Sequence, residues 1–331
     1  MAETTDRARS SGDGRRTWQT PQPTPTAPRT AAVDERAITS ANQWNDLDPD
    51  MIPPPDYDKT RDPVWPGNTR VENPAISVRN LSKAFGDHQV LEDISLDFPR
   101  GKITIVLGPS GTGKSVFLRH LIGLLKPDRG EVWVHGRNIP QLRRKELYEV
   151  RRTMGVLFQD GALFGSMNVF DNVAFPLREH TGRSEREIRR IVEAKLEMVG
   201  LEGAKNKLPG EISGGMRKRA GLARALVLDP EIVLFDEPDS GLDPVRTAIL
   251  NDLILELNEE IGSTFVIVTH DIRTARGIGD YVGLLFRRNL VAYGTKHDMF
   301  DSQYPVVRQF LGGRTSGPIG MSNERDRPEL L

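Results

Sequence analysis

Four groups of residues in this sequence have types and spacings suited to chemistry on phosphate. The first is Gly108-Pro109-Ser110-Gly111-Thr112-Gly113-Lys114-Ser115, preceded by the β-branched apolar run Ile103-Thr104-Ile105-Val106-Leu107 and followed by Val116-Phe117-Leu118-Arg119-His120-Leu121-Ile122. Strand, glycine loop and helix in that order form the setting in which a chain wraps a phosphate group. Gly108, Gly111 and Gly113 let the backbone turn tightly and aim N–H groups inward. The helix that follows adds the positive end of its dipole. Lys114 is placed to reach the β/γ-phosphates of a nucleoside triphosphate, and the Ser115 hydroxyl to ligate Mg2+.

The second group is Ile232-Val233-Leu234-Phe235-Asp236-Glu237, an apolar strand delivering two adjacent carboxylates at its end. Asp236 is expected to hold the Mg2+ shell through water, and Glu237 to accept a proton from an attacking water. The third group is His270, after the run 265–269, together with Gln159, after Leu157-Phe158. A lone histidine or glutamine at a strand end is more often structural. A strand beside the one that feeds the glycine loop, however, would end next to the γ-phosphate. The fourth is Ser213-Gly214-Gly215, where Ser213 caps a helix expected from about Met216 and two glycines leave its N–H groups bare. It reads either as a second anion-binding helix end or as an ordinary capped helix. It lies on another subdomain, badly placed for the chain's own glycine loop.

The elements that must carry these groups follow from hydrophobic periodicity. Runs 76–81 and 91–98 alternate apolar with polar, as half-buried antiparallel strands do, with a turn at Gly86-Asp87-His88. Further strands are expected at 103–107, 131–136 and 154–158, and helices at about 116–125 and 143–152. From Gln159 the pattern turns helical: 169–176, 184–199 (with Ser184 and Glu187 as a capping box) and 216–228. Strand 232–235, helix 244–261, strand 264–269 and helix 271–279 restore α/β alternation. A hairpin joins 281–286 to 290–293, turning at Arg288-Asn289, and a helix near 306–311 follows. The fold class is α/β, a P-loop NTPase core with an antiparallel β subdomain and a helical subdomain at about 160–228.

Composition limits the rest. The 331 residues include no cysteine, carry a net charge of −1 and are 37% hydrophobic. Disulfides and thiolate metal sites are excluded, and no basic excess argues for a nucleic-acid partner. No apolar run approaches the ~18–20 residues of a membrane span, and no secretory signal is visible, so the chain is expected to be soluble. Residues 1–73, rich in Pro, Thr, Arg and Asp, are expected to be a disordered tail, and 313–331 a flexible one. Trp18, Trp44 and Trp65 in the first tail are either incidental or short elements that dock on the domain or a partner.

Taken together, these motifs resemble the nucleotide-binding subunit of ATP-binding-cassette (ABC) transporters over residues 74–312. Residues 108–115 match Walker A, Gln159 the Q-loop, Ser213-Gly214-Gly215 the signature motif and 232–237 Walker B. Ser240-Gly241-Leu242-Asp243 match the D-loop, His270 the switch histidine, and Phe85 the aromatic that stacks on adenine. Met216 departs from the usual signature glutamine. Together with segments 158–167 and 175–181, this methionine makes the chain similar to the narrower branch of Mla and Mce lipid-transport ATPases. The resemblance implies ATP and Mg2+ as cofactors, with Ser115, Gln159 and Asp236 around the metal. It implies a head-to-tail homodimer with Asp243 and the signature near the nucleotide, integral membrane permease partners, and a place on the inner face of the cell membrane. Lipid cargo would not be contacted directly. The rival readings are an ABC ATPase acting on ribosomes or DNA, an ABC transporter for a non-lipid substrate, and a small-molecule P-loop kinase.

Overall fold

The computed structural model describes residues 57–66 and 70–320. Strands β1 (Ile76–Phe85) and β2 (His88–Phe98) pair antiparallel. β3 (Ile103–Leu107) leads through the glycine loop into α1 (Lys114–Leu121). β4 (Arg129–Val134) and β5 (Arg137–Asn138) complete a four-stranded sheet in the order β2-β1-β4-β5. Helix α2 (Arg144–Arg151) precedes β6 (Met154–Leu157), after which come α3 (Val169–His180), α4 (Glu185–Met198) and α5 (Gly214–Leu226). Then follow β7 (Ile232–Asp236), α6 (Pro244–Ile261), β8 (Thr264–Thr269), α7 (Ile272–Ile278), β9 (Tyr281–Phe286), β10 (Asn289–Thr295), α8 (Lys296–Asp301) and α9 (Pro305–Gly312).

The second sheet runs β10-β9-β3-β8-β7-β6 and is parallel except for the antiparallel edge strand β10. Every residue of β3, β7 and β8 is buried, as expected of continuous apolar runs in a sheet covered on both faces. The two-residue period of a strand then divides their side chains between two cores. Ile105, Phe235 and Ile267 join the core that includes α3, α4 and α5. Val106, Leu234 and Val268 join the other, with Phe117 and Leu121 of α1 and the apolar face of the antiparallel sheet.

Local signals read in the sequence set the helix ends. Ser184 accepts from Glu187 N, and the Glu187 carboxylate returns the bond to Ser184, closing the capping box of α4. α1 stops at Leu121, short of the expected 125: Gly123 takes φ +69°, and a Cβ there would meet Ile139 at 2.7 Å. The hairpin turns at Arg287-Arg288, both with positive φ, one residue before the expected place. The six-residue α8, capped by Thr295, was too short to show a period.

Both expected tail boundaries move outward. Residues 57–66, assigned to the disordered tail, form a strap against the domain. Val64 has no exposed surface and its carbonyl accepts from Tyr293 N at 2.8 Å. Buried Asp62 accepts from Tyr57 Oη (2.9 Å) and Ser302 Oγ (3.1 Å). Burial first, then the Asp62 hydrogen bond, pushes the Tyr57 phenol pKa up. Trp65 packs on the domain, its ring 6.3 Å from that of Tyr304. At the other end, the Gln309 amide donates to Ile319 O and accepts from Ile319 N, folding residues 313–320 back on α9. The strap was missed because its few apolar residues have no period; each finds its partner far along the chain. Trp18, Trp44, the rest of residues 1–56, residues 67–69 and residues 321–331 lie outside the described residues.

Val64→Ala is expected to lower the unfolding free energy by about 2 kcal/mol, through lost burial and the cavity left behind. Denaturant titration checks this, with ATP affinity unchanged; an unmoved midpoint would put the strap outside the cooperative fold.

Candidate functional site

Parallel pairing brings three of the four groups to one edge of the sheet. Leu107 pairs with Thr269 and Asp236 with Val268, so the glycine loop, Asp236-Glu237 and His270 leave the sheet at one level. Ligand sites of parallel sheets form at this carboxyl edge. Gly111 and Gly113 take φ +82° and +92°, which a side chain resists. A Cβ at Gly108 would meet Leu285 O at 2.4 Å, and one at Gly113 the side chains of Leu91 and Val90 at 2.9 Å. The loop is thereby wedged between β9 and β2.

Lys114 is buried and curls over its own loop. Nζ donates to Gly108 O (3.0 Å) and Pro109 O (3.1 Å) and lies 3.5 Å from Glu237 Oε1. Burial pulls the Lys114 pKa down, with the Glu237, Asp236 and Asp239 carboxylates acting against it. Glu237 itself sits at φ +47°, a left-handed conformation a non-glycine residue adopts only when its surroundings hold it. Here the hold is its N–H, which donates to Val268 O at 2.9 Å. The other carboxylate oxygen of Glu237 lies 3.6 Å from His270 Nδ1. A cation, a carboxylate and an imidazole thus meet where a phosphate held by residues 108–115 would present its terminal group.

Ser115 Oγ donates to Asp236 Oδ1 at 2.7 Å. Burial pushes the Asp236 pKa up, and the Ser115 hydrogen bond pulls it back. Among the described residues no cluster of three or more His, Asp or Glu side chains could hold a metal alone. Two hard oxygens at one point fit Mg2+, which Ser115 and Asp236 would hold beside a bound phosphate.

The remaining sequence candidates sit further out. Gln159 Nε2 donates to Ser240 Oγ at 3.0 Å, so its amide engages the loop after β7, and no bond joins it to Ser115 or Asp236. Phe85 is 48% exposed at the end of β1, with Lys83 Nζ 5.4 Å from its ring centroid. Asp243 caps α6, accepting from Val245 N and Arg246 N. Ser213 caps α5 as expected, accepting from Met216 N at 3.3 Å. Among the described residues no hydrogen bond joins 213–215 to the glycine loop, whereas Met216 packs on the core. Two buried charged residues escaped the sequence reading. Lys218, within the run Arg217-Lys218-Arg219, is buried against the loop after β7. Asp239 accepts from Thr269 Oγ1 (2.6 Å) and Thr274 Oγ1 (3.0 Å). Neither has a local sequence signal, since their partners belong to other elements.

The profile of the ABC transporter family matches residues 91–240, which include the glycine loop, Gln159, 213–215, Asp236 and Glu237 and stop short of His270. The probable ribonucleotide transport ATP-binding protein mkl of Mycobacterium leprae is 61% identical over 256 residues, 77% of this chain and 74% of that one. The ATP-binding protein MlaF of the intermembrane phospholipid transport system of Escherichia coli is 46% identical over 244 residues, 74% of this chain and 91% of its own. A dimeric ATP-binding cassette in a post-hydrolysis state, bound to ADP and Pi, is similar with TM-score 0.62 and 32% identity, over 67% of this chain and 98% of that one.

Because folding raises the Asp236 pKa, the stability tied to its proton is present below the unfolded carboxyl range and lost as pH rises through the raised value. Asp236→Asn escapes that loss and can still accept from Ser115. Without nucleotide, its Tm at neutral pH is expected to exceed that of the parent protein, and the gap to close on acidification. Mg2+-dependent hydrolysis should fall about a hundredfold or more. A variant melting below the parent at neutral pH would contradict the electrostatic account.

Proposed function

Since the chain belongs to the ABC transporter ATP-binding family, whose members are ATPases, we propose that it hydrolyses ATP to drive lipid transport through separate membrane subunits. The observation that carries hydrolysis is the convergence of Lys114, Ser115, Asp236, Glu237 and His270 on one sheet edge. Backbone N–H groups of 108–115 and Lys114 bind the phosphates. Ser115 and Asp236 would hold Mg2+, which when bound neutralises charge on the phosphate oxygens, with Gln159 reaching it on closure. Phe85 offers an exposed ring for the adenine base. Glu237 takes the proton of the attacking water, and His270 steadies that carboxylate and the γ-phosphate.

The capped start of α5 has no partner in its own glycine loop, which supports a second copy set head to tail. Ser213, Gly214 and Gly215 of one protomer, with Asp243 nearby, would then close over the nucleotide of the other. The dimeric structure among the similar proteins is consistent with this arrangement.

A membrane partner has a candidate seat. A cleft of about 500 Å³ is lined by Tyr148, Phe158, Phe164, Phe175, Pro176 and His180. A mainly apolar trough of this kind suits an amphipathic helix, and its phenylalanines belong to the segments that suggested the lipid-transport branch. No helix among the described residues is long and apolar enough to cross a membrane. Lipid as cargo is supported by likeness to MlaF over nearly all of its length; ribonucleotide as cargo is favoured by the higher identity to mkl.

Glu237→Gln is expected to keep ATP affinity and accumulate an ATP-dependent dimer, with turnover reduced about 10²–10³-fold; normal turnover would remove Glu237 as the base. To decide the cargo, the protein is purified with its membrane subunits and reconstituted in proteoliposomes. ATP-dependent movement of labelled phospholipid is expected. ATP-dependent uptake of labelled ribonucleotide, with no lipid movement, would replace the lipid reading.

A further inference from the structure

Lys218 lies one helical turn beyond the Ser213-capped start of α5 and is only 5% exposed. Its ammonium donates to Pro238 O at 2.7 Å and Ser240 O at 2.5 Å, with Glu237 O at 3.5 Å. Burial pulls its pKa down, and the carboxylates of Asp239, Asp160 and Glu237 act against that. Among the described residues it forms no ion pair; its donors go to the main chain of the loop that begins at Glu237 and continues to Asp243. Burying a cation on carbonyls alone is a costly way to add stability, since an apolar chain of the same length would fill the space without the desolvation. The arrangement instead fixes where that loop sits relative to α5.

The same loop is gripped from two other directions. Asp239 ties it to Thr269, the residue before His270, and Gln159 ties it to the segment after β6 through Ser240 Oγ. That segment is seated on α5 in turn. A Cβ at Gly221 would meet Gly161 Cα at 3.0 Å, and Arg224 donates to Gly161 O and Ala162 O. Any rigid shift of α5 therefore reaches Glu237 and its neighbours through Lys218, with little slack in a close-packed interior.

We propose that Lys218 is a positioning residue that couples the two nucleotide sites of the closed dimer. Resting on the head-to-tail arrangement proposed above, the route is short. The start of α5 meets the γ-phosphate bound by the partner, and Lys218 carries the resulting displacement into the 237–240 loop of its own site. A site occupied on one side thus sets the base on the other, so hydrolysis is cooperative in ATP.

The test uses the full chain, with Lys218→Met removing all N–H donors at similar length and Lys218→Gln returning two. The parent protein is expected to dimerise with ATP and hydrolyse it with a Hill coefficient above one. Lys218→Met should bind a fluorescent ATP analogue within about twofold of the parent, lose about tenfold or more in kcat and lose cooperativity, the order of effect expected from misplacing a catalytic group. Lys218→Gln should recover part of both. A cooperative parent with Lys218→Met unchanged in kcat and Hill coefficient overturns the coupling and leaves the dimer standing. Equal losses of ATP affinity and kcat, with no recovery in Lys218→Gln, reduce Lys218 to a structural residue and also overturn it. A parent that stays monomeric with ATP overturns the dimer and the coupling together. If Lys218→Met fails to fold, hydrogen exchange on Glu237→Gln decides: ATP should protect amides of 214–218 and 239–242 together, and protection of the first segment alone refutes the route.

Discussion

The parallel pairing of β3, β8 and β7 is the constraint on which this molecule depends. Because side-chain period and hydrogen-bond register are locked together in a parallel ladder, Leu107, Thr269 and Asp236 end almost level. The next residues of each strand are then the loop, the imidazole and the carboxylate of the site. A one-residue slip in any of the three strands would swap its side chains between the two cores and displace its functional residue. Burial of every side chain in these strands makes such slips prohibitive. The geometry of the site is thus secured by hydrophobic burial well away from the chemistry.

Within that frame the charges are held in tension. Lys114 is desolvated and leans on two carbonyls of its own loop and on Glu237. Asp236 is desolvated and leans on Ser115. Neither is satisfied as well as it would be in water, and both have unused capacity for a ligand: phosphate for the ammonium, a hard cation for the carboxylate. The contorted backbone at Glu237 belongs to the same design, since its positive φ turns the carboxylate from the strand axis toward Lys114. Stability spent here is recovered in the two cores that the central sheet separates.

The helical subdomain is joined to this site by short polar links. Gln159 and Lys218 both end on Ser240, one on its hydroxyl and one on its carbonyl, so a single residue after β7 receives contacts from the segment after β6 and from α5. Between those two segments the close approach at Gly161 and Gly221 excludes side chains. The outer end of the subdomain offers the apolar cleft around Phe158 and Phe175. The cleft and the sheet edge that carries the site are connected through a few residues, without a long lever.

Much of this was legible in the sequence because it is local. The glycine loop with its flanks, the paired carboxylates behind an apolar strand, the Ser184 box and the Ser213 cap are each written within about eight consecutive residues. Short-range backbone physics decides such features wherever they occur. The strap at 57–66, the buried Lys218 and the buried Asp239 were not legible, for one shared reason. Each is defined by a partner that the chain supplies only far away: Tyr293 for Val64, Pro238 and Ser240 for Lys218, Thr269 and Thr274 for Asp239. A lysine among arginines carries no mark of burial until a loop from another strand is folded over it. Sequence alone marked the phosphate-binding loop and the candidate residues around it. Tertiary structure decided which of them touch, because contact between distant segments is fixed by the packing of a sheet and two cores, and no local pattern encodes it.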